Sequence, residues 1–207
     1  MNLTLQKRFS RVDIAAILAF LAVWTYLIVR IRHFYYNPDE YYYLATAQKF
    51  ALGARPLVDD WHIGQLTSLF LVLPYKLFVA IRGSTDGIIL FSRALFLVFN
   101  AVFYWVMYTK LRAYKWPALV ATLMFSTNIT GGILACNYYN TPIRLVMIVC
   151  LILFSEKQSA ASLLAAGVLL ACAGIYQPLL FSLYLGYSLL VWLRFIRRKK
   201  DKPFLND

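Results

Sequence analysis

Two pairs of adjacent carboxylates, Asp39-Glu40 and Asp59-Asp60, occupy one stretch of a chain that has only nine acidic residues among 207. A carboxylate partly withdrawn from water can be tuned toward the pKa that a general base requires. Arg30, Arg32 and His33 precede the first pair and Arg55 the second, while Lys76, Arg82 and Arg93 follow. Guanidinium groups bind phosphate in bidentate fashion, and an ammonium binds it as a point charge. An acid and several cations at a membrane surface suit a reaction between a lipid-linked phosphate and a hydroxyl or amine, with Asp39 as the base. The same residues also have a plainer reading. Asn37-Pro38-Asp39-Glu40 has an N-cap, a proline at the first helical position, acids in the first turn and the spacing of a capping box. Asp59-Asp60 precede a second helix start near Trp61. Each cation can snorkel to headgroups. The residues alone leave both readings open.

The elements that must hold these groups are membrane helices. The chain is 61% apolar, 17% aromatic and 14% charged, against roughly 25% charged residues in a soluble domain. Several uninterrupted apolar runs predict a polytopic all-α integral membrane protein. The net charge of +12 does not point to nucleic acid, because Lys and Arg cluster in short stretches beside apolar runs rather than on a basic face. Cys136, Cys150 and Cys172 lie within apolar segments at no metal-like spacing, so they read as packing residues. The first apolar run ends in Arg30-Ile31-Arg32-His33 and lacks a small-x-small cleavage site. It is expected to remain as an anchor.

Six spans are predicted, at 14–29, 87–109, 116–136, 142–154, 159–176 and 179–196. Residues 64–81 are apolar as well, but Pro74 and Lys76 interrupt them. Charge counting decides their placement. Without a span there, thirteen Lys and Arg fall inside and seven outside; with one, the count becomes five against fourteen. The positive-inside rule selects the first arrangement. Both termini are then cytoplasmic: residues 1–11, and a basic tail at 197–207. Residues 30–86 form one large extracytoplasmic loop with two juxtamembrane amphipathic helices. One runs from Pro38 to about Leu52, with Tyr43, Ala47, Phe50 and Ala51 on one stripe fit to lie on the bilayer. The whole chain reads as a single transmembrane domain.

Among the remaining marked residues, Arg93 sits inside its span, where an ionisable side chain is a functional candidate by default. Asn100, in mid-span, reads as interhelical glue. Tyr and Trp near span ends fit an interfacial belt. The RRKK tail fits a cytoplasmic stop that meets anionic lipid.

The stretch NPDEYYYLATAQKFALGARPLVDDWHIGQLTSLFLVLPYKLF resembles the first outer loop of polyprenyl-phosphate-sugar-dependent glycosyltransferases of the GT-C superfamily. The nearest branch is that of the protein O-mannosyltransferases and lipid A aminoarabinose transferases. Asp39-Glu40, Tyr43, Ala47, Gly53 and the apolar 65–78 helix occupy the matching places. The segment LFSRALFLVFNAVFYWVMYTKLRAYKWPALVATLMFS is similar to the next part of that fold. The likeness covers residues 10 to 155 and corresponds to the N-terminal half of such enzymes. It implies inverting transfer of a hexosyl or pentosyl group from a polyprenyl-phosphate donor to a glycan, lipid or protein acceptor on the extracytoplasmic face; of the possible hosts, a bacterial inner membrane is favoured. Asp39 would be the base, and Glu40 would orient the acceptor or support the loop. Asp59 or Asp60 would be a second acid, and Arg30, Arg32, Arg55, Lys76, Arg82 and Arg93 would be candidates for the lipid phosphate. Asn137-Tyr138-Tyr139-Asn140 stand where relatives carry another acid, which implies no metal; no cofactor is expected. Other expected partners are membrane lipids and a partner subunit or second copy. The rival readings are an accessory homologue that binds polyprenyl lipid or scaffolds a complete transferase, and, less favoured, a small transporter or flippase.

Overall fold

The computed structural model describes residues 10–33, 37–59, 62–129, 136–137, 139–155 and 159–200, and every regular element among them is helical. The chain divides into two compact units, residues 1–140 and 141–207.

In the first unit, α1 spans Arg11–His33. It starts on a reciprocal cap, in which Ser10 N–H donates to Asp13 Oδ2 at 2.7 Å and Asp13 N–H donates to Ser10 Oγ at 3.2 Å. Helix α2, Pro38–Ala51, has Asn37 as its N-cap, whose side-chain oxygen accepts from Asp39 N–H at 2.9 Å. A 3-10 turn, Ile63–Ser68, leads into α3, Leu69–Arg82. Gly83 ends α3 in the left-handed region at φ 70°, a conformation that carries no steric cost only for glycine. Helix α4, Ile88–Leu111, and α5, Trp116–Thr127, complete the unit.

Helix α4 forms the centre. Its buried residues Arg93, Phe96, Leu97, Asn100, Phe103, Tyr104, Met107 and Tyr108 recur at spacings of three and four, one face of a 3.6-residue helix. In lipid there is little hydrophobic drive between helices, so dispersion and interhelical hydrogen bonds hold them together. Both kinds of contact are present. Tyr104 Oη–H donates to the Ala16 carbonyl at 2.7 Å, and Asn100 Nδ2–H donates to the Ser126 carbonyl at 2.9 Å. Phe20 stacks on Trp24 with ring centroids 4.3 Å apart, and both meet Tyr104.

Helix α2 packs on α3 through Tyr43, Ala47 and Leu71, flanked by Tyr42 and Tyr75. The stripe expected to lie on the bilayer is therefore spent differently. Tyr43 and Ala47 are buried in protein, and Phe50 and Ala51 are half-buried. The apolar surface of α3 supplies the cover that lipid was expected to give.

The second unit contains most of α6, Asn140–Leu153, together with α7, Ala160–Tyr176, and α8, Phe181–Lys200. Val149, Ala166 and Leu170 form its core. Ser159 and Ser162 cap α7 reciprocally. Where α7 turns into α8, a Cβ on Gly174 would lie 3.3 Å from the Phe181 ring, so glycine permits the close approach.

The six-span expectation does not hold. Among the described residues, three helical stretches are long and apolar enough to cross a membrane: Arg11–His33, Gly64–Arg82 and Ile88–Tyr114. One of them is the stretch that charge counting had excluded. Helices α5, α6 and α7 have 12, 14 and 17 residues, short of the roughly 20 that a 30 Å hydrocarbon core asks for. The apolar runs are where they were predicted, but helix ends are set by the backbone. Asn128 turns to φ −69°, ψ 99° and stops α5. Ahead of α6, the Asn137 side-chain oxygen accepts from the N–H groups of Tyr139 and Asn140, at 2.8 and 2.7 Å.

Candidate functional site

Successive residues of an α-helix point about 100° apart, so the adjacent acids at the start of α2 cannot face the same way. Glu40 turns inward and is 2% exposed, whereas Asp39 is exposed. A buried carboxylate is costly unless it is paired and hydrogen-bonded. Arg93 supplies that pairing. Its Nε donates to Glu40 Oε2 at 2.9 Å, and Nη2 lies 2.7 Å from the same oxygen. Its Nη1 donates to the Ile31 carbonyl at 2.8 Å. That carbonyl is in the last turn of α1, where no intrahelical donor remains for it. One guanidinium thus ties three helices, α1, α2 and α4, at a single point. Asp39, one position before Glu40, is carried on the tied turn and is exposed.

The other expected residues are distributed unevenly around this point. Asp59 is exposed and paired with Arg55: Arg55 N–H donates to Oδ2 at 2.6 Å and Nη2 lies 3.3 Å from Oδ1. The backbone N–H and the guanidinium together hold the Asp59 carboxyl below its ordinary value. Asp60 lies outside the described residues. Arg30 is half-buried, with its guanidinium carbon 5.9 Å from the centre of the Tyr26 ring. Arg32 is exposed in the last turn of α1, and Lys76 and Arg82 are exposed on α3. The structure therefore brings together Glu40 with Arg93 and Arg55 with Asp59. Of the cations, Arg30 and Arg32 stand in the last turn of α1, Arg55 between α2 and α3, Lys76 and Arg82 on α3, and Arg93 on α4. Among the described residues, no group of three His, Cys, Asp or Glu is placed to hold a metal ion.

A second ion pair stands at the opposite end of α1 and α4. Asp13, 4% exposed, is bonded to the Arg112 guanidinium, to Tyr108 Oη–H at 2.8 Å and to Ser10 Oγ–H at 2.9 Å. A cleft of about 130 Å³ lined by Asp13, Ile17, Trp105, Tyr108, Thr109 and Arg112 opens beside it. Sequence reasoning did not single out this cluster. The available signals were Ser10 three residues before Asp13, the spacing of a cap, and an acid at the head of an apolar run. Comparison with family models, curated proteins and solved structures gives no match to this chain.

Proposed function

We propose that the chain is the catalytic N-terminal module of a membrane glycosyltransferase that uses a polyprenyl-phosphate sugar, with Asp39 as the base. The observation that carries this reading is the division of the acid pair: Glu40 is buried and fixed by Arg93, and Asp39 is left outward on the same rigid turn. A base must be held without being consumed in an ion pair, and this arrangement meets both conditions; Asp39 is exposed, however, and not withdrawn from water as the sequence suggested. In the reaction, the Asp39 carboxylate accepts the proton of the acceptor hydroxyl as its oxygen forms a bond to the anomeric carbon. The bond from that carbon to the phosphate oxygen breaks, and polyprenyl phosphate leaves with the electron pair. Attack opposite the leaving group inverts the configuration. Arg30 and Arg32, at the nearby end of α1, are the cations we assign to the phosphate.

The placement of α3 supports an extracytoplasmic loop. Arg93 near the start of α4 reaches Ile31 near the end of α1, while Arg112 beyond α4 meets Asp13 near the start of α1. The two helices run antiparallel, and the 34–87 connection leaves and returns at one end. An even number of crossings must lie between. With 14 residues and Asp39, Glu40 and Lys49 among them, α2 is too short and too charged to make one. On this reasoning α3 remains with α2 as a hairpin on that side, despite its length. We assign that side to the extracytoplasmic face, as the likeness to GT-C transferases implies.

The test uses the full chain in lipid nanodiscs with polyprenyl-phosphate sugars carrying radiolabelled hexose or pentose, following release of polyprenyl phosphate. Asp39→Asn is expected to lower turnover by about 10²–10⁴-fold, the usual scale for loss of a general base, with unchanged helix content. Equal turnover in the variant would remove Asp39 from the mechanism, and no turnover in the parent chain would favour the accessory reading. Independently, cysteine at position 39 should react with an impermeant maleimide added to the outer face of cells.

A further inference from the structure

The cleft of about 130 Å³ beside Asp13 and Arg112 has a graded lining. Arg112 stands at its outer end, bonded through Nη2 to the buried Asp13 while its side chain stays 39% exposed. Tyr108 and Ser10 hold the Asp13 carboxylate in turn, so the guanidinium is anchored in one orientation. Its Nε and Nη1 have no acceptor among the described residues. Trp105 lies seven residues before Arg112, about 10 Å toward the middle of the helix pair at 1.5 Å per residue. Phe20, Tyr104 and Tyr108 fix its ring, with centroids 5.1, 5.2 and 6.2 Å away. The indole N–H likewise has no acceptor among the described residues. Ile17, one turn after Asp13 on the antiparallel α1, supplies apolar wall at the same inner end. A cation at the mouth is thus followed by a single N–H donor and then by hydrocarbon.

We propose that this cleft binds the headgroup of one anionic phospholipid, at the end of the α1–α4 pair opposite Glu40 and Arg93. The phosphate accepts from the open N–H groups of Arg112, whose fork suits two phosphate oxygens at once. The glycerol ester of the same lipid reaches the indole N–H of Trp105, a residue suited to that depth. Phosphate, ester and chain follow one another in a lipid as cation, donor and hydrocarbon do here, whereas a free phosphate ion uses the mouth alone. The volume is close to the ~150 Å³ of a cavity that holds benzene, so the headgroup enters and the acyl chains stay in the bilayer. Charge selects the anionic class. Arg11, Lys110 and Lys115 are also exposed at this end, and Asp13 is the only acid in α1, α4 and α5. Four cations against one carboxylate favour a headgroup with net negative charge over a zwitterion.

Trp105 serves as the reporter. The full chain is reconstituted in phosphatidylcholine vesicles that contain an equal minor fraction of brominated phosphatidylglycerol or brominated phosphatidylcholine. The quenching that belongs to Trp105 is the difference between the parent chain and Trp105→Phe. It should be about five-fold greater with the anionic lipid, the factor expected of one basic residue on an anionic headgroup. Arg112→Gln should bring the two lipids to parity. That change also takes a partner from Asp13, so Thr109→Phe provides the second variant. It fills the cleft from an exposed position whose hydroxyl bonds only to carbonyls of its own helix. It should remove the preference with the ion pair in place and far-ultraviolet circular dichroism unchanged. Equal quenching by both lipids in the parent chain overturns the proposal and leaves ordinary bilayer contact. A preference that survives in either folded variant overturns it too, because it then belongs to the general charge of this end. Loss of the preference on adding millimolar inorganic phosphate at constant ionic strength would assign the site to a free ion and overturn the lipid.

Discussion

The two ends of the α1–α4 pair use the same device for different ends. At one, Asp13 and Arg112 join α1 to the segment after α4, with Ser10 and Tyr108 as further donors and the arginine side chain 39% exposed. At the other, Glu40 and Arg93 are 3% and 1% exposed, and the acid belongs to neither long helix. The first pair closes a two-helix contact that Tyr104 already holds through Ala16. The second attaches a third element, α2, to both long helices. The contrast teaches where the expensive interaction was needed. A wet, shared ion pair is enough to trim the end of a bundle, while a dry one is used to hold a short amphipathic helix, and with it Asp39, in one register.

The two ends should differ most in their response to loss of the arginine. Arg93→Ala leaves Glu40 buried without its charge partner, a loss typically worth about 3–5 kcal/mol. It should appear as a large drop in midpoint when the purified chain is unfolded in detergent. Arg112→Ala should cost less, because solvent reaches the guanidinium and the buried Asp13 keeps its donors from Tyr108 and Ser10. Equal losses for the two variants would mean that exposure does not separate the pairs. The double change Glu40→Met with Arg93→Met sharpens the point. Removing both charges together should recover most of the midpoint lost in Arg93→Ala, since an apolar pair of similar volume avoids the desolvation penalty. The proposed transfer activity should not recover with it, because α2 then lacks the guanidinium that ties it to α1.

A smaller effect is expected where α4 is held by uncharged contacts. Tyr104→Phe removes the hydroxyl donated to the Ala16 carbonyl, and Asn100→Ala removes the donor to the Ser126 carbonyl. Interhelical hydrogen bonds in membranes average about 0.6 kcal/mol, because the dissociated helices find other partners. Each variant should therefore lower the midpoint only slightly, and the two losses should add. A loss comparable to that of Arg93→Ala would place the centre of stability in the bundle interior instead of at its end.

Local chemistry made part of this legible from the residues alone. Asn37-Pro38 marks the start of α2, and the helix begins at Pro38. The run after Gly87 marks α4, and Asn100 does bond across to a neighbouring helix. The failures share one cause. Glu40 and Arg93 are 53 positions apart, and nothing in either neighbourhood indicates that one will neutralise the other. Hydropathy located the apolar runs at 116–136 and 142–154 but could not find the backbone breaks at Asn128 and Asn137 that shorten the helices. Asp13 escaped notice because a cap and an ion pair look alike until Arg112 is seen beside it.

The smallest expected effect lies in the loop between α2 and α3, where Arg55 and Asp59 form the exposed counterpart of the buried pair. The backbone N–H of Arg55, then its guanidinium, favour the charged carboxylate and hold Asp59 below its ordinary value of 3.8. A depressed folded-state value means that the tie contributes above the ordinary carboxylate range and is lost as pH falls through the lowered value. Nothing should change between pH 5 and 8. In acid below 3.8, the Arg55 amide resonance should shift and its hydrogen exchange should quicken relative to neighbours. Asp59→Asn should abolish that acid transition and leave the unfolding midpoint at neutral pH almost unaltered. An Arg55 transition centred near pH 6, or one that persists in Asp59→Asn, would assign the titration to another group and detach the loop from this carboxylate. If it appears as expected, a tie open to water responds only to strong acid and contributes little, the opposite limit to the buried Glu40–Arg93 pair.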